Sequence, residues 1–466
     1  MIETLIARVN DALYSFVLVV LLLAGGLYFT LRTGGAQFRL LREQFKILTQ
    51  RSRKGQGISS FHALMVSTAS RVGTGNIIGV STALCLGGFG SVFWMWVIAL
   101  IGSASALVES TLAQIYKRRG RDGCYGGPAC YIETGLGNKR LAVVFTVLLI
   151  ITYGFGFNML TSYNLQSTFA QYSFYRPDSS PWVVGLLLAA AVYFCLAGSG
   201  KRILRVTGVL VPVMGGAYVL VALLIVVLNI QTLPGVLARI VQEAFDFKAI
   251  FSGFSGSCVM YGIKRGLLSN EAGVGSAPNA SAAARVDHPV QQGLAQVLSV
   301  FLDTLVICTA TAFMCMCSGV EPSPALSGAP YVQAALRATL GSFGPLFMTA
   351  VMLLFGFTTL LGNLYYMDQC IYYLLGKAPG HRLRKGCHRT ACGVILLGAG
   401  LSADLLWSIA DLTMGAMVLI NMPVILWLSG QAIQALRHYE KWRKKEGPLT
   451  FFARDIALPH QTDYWR

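Results

Sequence analysis

The chain has 466 residues, of which 55% are apolar and only 12% charged, with a mean hydropathy of +0.60. Apolar runs of about 20 residues recur along it, which excludes an ordinary soluble multidomain protein and indicates an all-α polytopic membrane protein. The net charge of +17 would suit a nucleic-acid binder, but Lys and Arg gather in alternate loops, the positive-inside pattern, so nucleic acid is not an expected partner.

In chain order, the first apolar run, 13 to 31, has no basic n-region and no A-x-A cleavage site, and reads as a retained helix. A basic loop with Arg39, Arg42, Lys46, Arg51 and Arg53 follows. Further apolar runs fall at 61–86, 92–115, 141–170, 182–198 and 206–229, then at 248–284, 293–317, 344–375, 390–404 and 408–436, about eleven membrane helices in all. The basic loops 32–60, 116–140, 199–205 and 376–390, with the tail, are assigned to the cytoplasm; the N-terminus then lies outside and the C-terminus inside.

Without the first helix, ten remain, five and five, and an odd number per half requires the halves to be inverted, as in many secondary transporters. The expected organisation is an extra N-terminal helix and basic loop over 1–60, a five-helix repeat over 61–230, a second over 245–437 and a basic cytoplasmic tail over 438–466. The leading helix of each half is interrupted. One carries Gly73-Thr74-Gly75-Asn76 beside Arg71; the other carries Gly262, Gly266 and the run Ser269 to Ser276, followed by Pro278. Glycine costs about 1 kcal/mol against alanine inside a helix, and unwound backbone survives at membrane depth only where protein or a polar cavity satisfies it.

At the first break the freed carbonyls of Ala69 and Val72 suit Na⁺, and the amides of Gly73, Thr74, Gly75 and Asn76 suit a carboxylate; close helix packing is the alternative use of such glycines. The second break holds Glu271, which either binds an ion, carries a proton or pairs with Arg71. Glu109 and Asp303 are embedded beside the breaks and read as structural or coupling charges. Thr358 and Thr359 are placed to complete an oxygen cage at the first break unless they bond to their own helix. Asn363 continues that polar side, and Phe157, Asn158, Thr161, Tyr163 and Asn164 form a mixed patch that either meets substrate or bonds between helices. A membrane-embedded enzyme using Glu271 and Asp303 is disfavoured, since no His, Cys or Ser nucleophile stands beside a base, and a passive channel is disfavoured by the internal repeat.

The segments RVGTGNIIGV, GGFGSVFWMW, GGPACYIETGLG, KRGLLSNEAGVGSAPNASAAA, HPVQQGL and FLDTLVICTATA resemble those of the alanine or glycine:cation symporter family. The resemblance implies a leucine-transporter-type fold with one added N-terminal helix in the bacterial inner membrane. It implies import of a small neutral amino acid with Na⁺ as coupling ion, or H⁺ in some members, and no organic cofactor. Carried onto this chain, Ala69, Val72, Thr358 and Thr359 hold sodium, while Thr74, Gly75, Asn76, Gly262 and Gly266 meet the substrate. Phe157, Thr161 and Asn363 join that pocket; Thr161 and Asn363 replace the Gln and Trp frequent in the family, which leaves glutamine, serine or a D-amino acid open beside alanine and glycine.

Overall fold

The computed structural model describes residues 2–49, 58–120, 123–197, 200–246, 257–443, 451–456, 458 and 462–465. It is helical almost throughout. We number the principal helices α1 (2–32), α2 (Ser60–Arg71), α3 (Gly75–Gly87), α4 (Gly90–Ile115), α5 (Pro128–Gly135), α6 (Lys139–Ser167), α7 (Ser180–Leu196), α8 (Gly200–Leu228), α9 (Leu233–Ala244) and α10 (Cys258–Asn270). They continue with α11 (Pro278–Ala283), α12 (Pro289–Met316), α13 (Ala329–Leu340), α14 (Phe343–Leu375), α15 (His381–Ala399) and α16 (Ala403–Arg443). A two-stranded hairpin, β1 (Arg118–Gly120) with β2 (Gly123–Tyr125), follows α4. Stretches within α4, α6, α8, α12, α14 and α16 are long and apolar enough to cross a membrane.

Both expected interruptions are present. Residues 72–74 separate α2 from α3, and residues 271–277 separate α10 from α11; the expected start of the latter run, 248–256, lies outside the described residues. The leading segments begin alike. Ser59 accepts from the amide of His62 (3.2 Å) and Ser257 from that of Met260 (3.3 Å), each an extended N-cap that fixes where its helix starts. Between the apolar runs lie two further helices, α9 and α13. Their apolar residues cover one face only, too few for a spanning run. Likewise α15 starts within the basic stretch at His381, nine residues before the apolar run.

Helix α4 is the axle of the bundle, buried almost continuously from Gly102 to Ile115, with α1, α10, α12 and α16 packed around it. Small residues allow that density. A Cβ at Gly262 would meet Ser91 O and stand 2.7 Å from Trp94 Cβ, and one at Gly266 would stand 2.7 Å from Ile98. Among the described residues four π-helical stretches occur, Leu13–Val17 in α1, Gly75–Gly79 in α3, Ile150–Gly156 in α6 and Phe301–Cys308 in α12, and those of α3 and α12 pack against each other.

Overpacking the α4–α10 contact should therefore cost about 1–3 kcal/mol. Gly262→Val is expected to lower the melting temperature in detergent, whereas Gly393→Ala, inside α15 with open space around its Cβ position, should not lower it and should raise it slightly.

Candidate functional site

The first break is opened by its own asparagine. In a continued helix the Gly73 amide would donate to Ala69 O and the Asn76 amide to Val72 O. Here Gly73 N donates to Asn76 Oδ1 (2.8 Å) and Asn76 N to Gly73 O (3.2 Å). The carbonyls of Ala69 and Val72 thus lose their helical donors, and the amides of Thr74 and Gly75 have no backbone acceptor. A side chain at Gly73 would collide with Thr359 Oγ1, which itself has no hydrogen-bond partner.

A cavity of about 30 Å³ opens at this point. One wall is the break, with Ser70, Arg71, Gly73, Thr74 and Gly75, beside Thr359; another is a single face of α6, with Phe157, Leu160, Thr161 and Asn164; Leu268 and Glu271 close it from the second break, while Ala69 and Val72 lie outside the lining. Ser70 Oγ joins the two broken helices, lying 2.8 Å from Asn363 Oδ1 and 3.4 Å from Glu271 Oε1.

Asn76 does not reach the cavity with its side chain. Its Nδ2 donates to Asp303 Oδ1 (2.6 Å) and Ser269 Oγ (2.9 Å), and Asp303 Oδ2 accepts from Ser269 (2.6 Å) and Thr304 (2.9 Å). Asp303 on α12 therefore pins the first break to the end of α10. The second break is held in the same manner. Glu271 has φ +53°, the one positive φ of a non-glycine residue among those described, and its Oε2 accepts from Ser276 (2.6 Å). Glu109 accepts from Gly273 N (3.4 Å) and from Asn421 Nδ2 (3.0 Å), which also donates to Gly273 O (2.9 Å).

Several expected placements need correction. Thr358 and Thr359 lie about 100° apart around α14, and only Thr359 faces the break. Thr358 bonds to Leu354 O (3.0 Å) and touches Met214 of α8. Asn363 is not on the cavity; its Nδ2 donates to Asn158 (3.0 Å) behind Ser70. Gly262 and Gly266 serve the α4 contact rather than the substrate wall. Arg71 makes no ion pair with Glu271. Its Nη1 donates to Gln296 (2.9 Å), while Nε and Nη2 stay unpartnered. Lys264 and Arg265 instead pair with Asp411 of α16 at 2.8 and 3.3 Å, a partner 146 residues from Arg265 with no local signal in the sequence. Ser70, Leu160 and Leu268 were also unmarked; each lies within one turn of a marked residue.

A broken-helix cavity inside an apolar helical bundle defines the class: a multi-pass membrane transporter. The chain belongs to the sodium:alanine symporter family, whose model matches residues 1–453. A probable sodium/glutamine symporter of Bacillus subtilis, GlnT, is 42% identical over 98% of this chain and 95% of its own length. The sodium/alanine symporter AgcS of Methanococcus maripaludis is 36% identical, covering 95% of this chain and 98% of the relative. Among solved structures, MhsT in complex with L-phenylalanine matches with a TM-score of 0.56 at 16% identity, over 83% of this chain and 99% of that one, a likeness of fold.

The pin can be tested directly. Asp303→Ala strands the Asn76 and Ser269 donors and should cost about 1–3 kcal/mol; in a thermal-melt cycle with Asn76→Ala the losses should be markedly less than additive.

Proposed function

We propose that this chain imports a small neutral amino acid together with Na⁺ by alternating access. The carrying observation is the joint of the two broken helices at one cavity, where Ser70 meets Glu271. Na⁺ binds the carbonyls freed at Ala69 and Val72 with Thr359 Oγ1, and the substrate carboxylate takes the Thr74 and Gly75 amides. Names of relatives, alanine for one and glutamine for another, support the substrate class. The architecture under this reading is eleven spans, a 5+5 inverted repeat over 61–230 and 245–437 behind one added helix, with the N-terminus outside and the C-terminus in the cytoplasm.

Because the ion orders the backbone that holds the substrate, each ligand raises the affinity of the other by the same factor. A proton-coupled variant draws on the buried carboxylates Glu109, Glu271 and Asp303 beside the breaks and on a relative of 38% identity named a putative sodium/proton-dependent alanine carrier.

Uptake of labelled alanine and glutamine into proteoliposomes should require an inward Na⁺ gradient; dependence on a pH gradient alone would replace Na⁺ by H⁺. Thr359→Val should raise the Na⁺ concentration for half-maximal uptake roughly 5-fold or more, on the scale of one lost buried oxygen contact. Thr358→Val should not. Equal effects of the two would dismiss the cage.

A further inference from the structure

We propose, resting on the symport reading, that Asn164 reads the substrate side chain and selects amino acids bearing a hydrogen-bond donor there: serine, asparagine and glutamine over alanine. Phe157, Thr161 and Asn164 recur at helical spacing on the α6 wall. Asn164 is 1% exposed; its Nδ2 donates to Thr74 Oγ1 (3.3 Å), which fixes the carboxamide, and its Oδ1 has no protein partner. A buried acceptor left unpaired is costly, so a ligand donor is the natural complement. The carboxylate and ammonium of a bound amino acid have their partners on the other wall, in the amides of Thr74 and Gly75, the freed carbonyls and Glu271. What remains for Asn164 is the side chain, flanked by Thr161 and limited in length by Phe157 and Leu160.

Competition of unlabelled alanine, serine, asparagine and glutamine against Na⁺-driven uptake tests this. Unmodified protein should prefer the three polar substrates. Asn164→Leu should weaken them roughly 5- to 100-fold relative to alanine, Asn164→Asp, which keeps an acceptor, should retain the preference, and Asn164→Ala should match Leu if Leu fails to fold. An equal loss for all four means that Asn164 acts only through Thr74 or the ammonium, and overturns the assignment, as does an unshifted preference. Absence of uptake of all four by unmodified protein overturns the symport reading itself.

A separate cluster carries a second inference: we infer that the C-terminal tail latches shut the end of the bundle where the two broken helices meet. Arg285 N donates to Ile58 O (2.9 Å), so the start of α2 is tied to the end of α11. The carbonyl of Ala284 accepts from Gln114 Nε2 (2.8 Å) and Lys117 Nζ (3.2 Å). Over these two lies the tail: Trp465 Nε1 donates to Gln114 O (2.7 Å), the Tyr464 and Trp465 rings lie 3.8 and 4.8 Å from Lys117 Nζ, and Asp463 accepts from Arg119 N (2.7 Å). Opening a path at this end requires Ile58 and Ala284 to part, and the tail braces the groups that hold Ala284. In hydrogen-exchange mass spectrometry, Tyr464→Ala/Trp465→Ala should speed exchange at residues 58–62 and 281–287 as well as in the tail, with counterflow of substrate accelerated several-fold. Lys117→Gln should do likewise without altering the tail sequence. Faster exchange confined to 451–465 with unchanged counterflow, or slower counterflow with global loss of protection in both variants, overturns the latch.

Discussion

Opened backbone in an apolar interior has to find partners for every freed amide and carbonyl, and that constraint shapes both breaks. The second break is sealed by protein. Asn270 Oδ1 takes the Ala272 amide (3.0 Å), Glu109 that of Gly273 (3.4 Å), and Asn279 Nδ2 donates to Gly275 O (3.2 Å). The first break is only half sealed, by Asn76, and Gly73, Thr74 and Gly75 line the cavity with Thr359. A ligand therefore has a thermodynamic reason to sit at one break and not the other, and the sealed break serves as a frame for the open one.

The buried charges follow the same logic. Lys264 and Arg265 reach Asp411, so α10 is anchored to α16 by a pair that holds its charges out of the cavity. Arg71 has no such partner. One neutral bond to Gln296, which is bonded in turn to Ser67 (3.0 Å), fixes it against α12.

The breaks were legible in the sequence because glycine beside Asn and Arg is improbable on a lipid-facing helix. Their chemistry was less so. Glycine marks unwinding at Gly73 and tight packing at Gly262 and Gly266, and only the neighbour of the missing Cβ tells the two apart. Thr358 and Thr359 are adjacent in sequence, yet a helix sends them to different helices. Asn363 and Asn164 were both marked as polar residues near the pocket; the structure spends the first on Asn158 and Ser70 and leaves the second with a free oxygen. Asp411 and the tail contacts depend on residues 146 and 351 positions apart, where local pattern carries no information.

Two connections cross between the broken helices near the cavity, Ser70 to Glu271 and Asn76 to Ser269. The first ends on Glu271, whose left-handed backbone forms the bend of the second break and whose other oxygen holds Ser276. Any ligand that orders residues 72–75 thus acts on the atoms that set the angle between α10 and α11. A conformational response follows only if the ligand binds one arrangement better than another, and the asymmetry of the breaks provides that difference: ordering the open one changes the number of satisfied groups, while the sealed one transmits the change without altering its own count. Under the proposed symport, coupling between ion, substrate and bundle needs no long pathway, since both breaks line the same cavity.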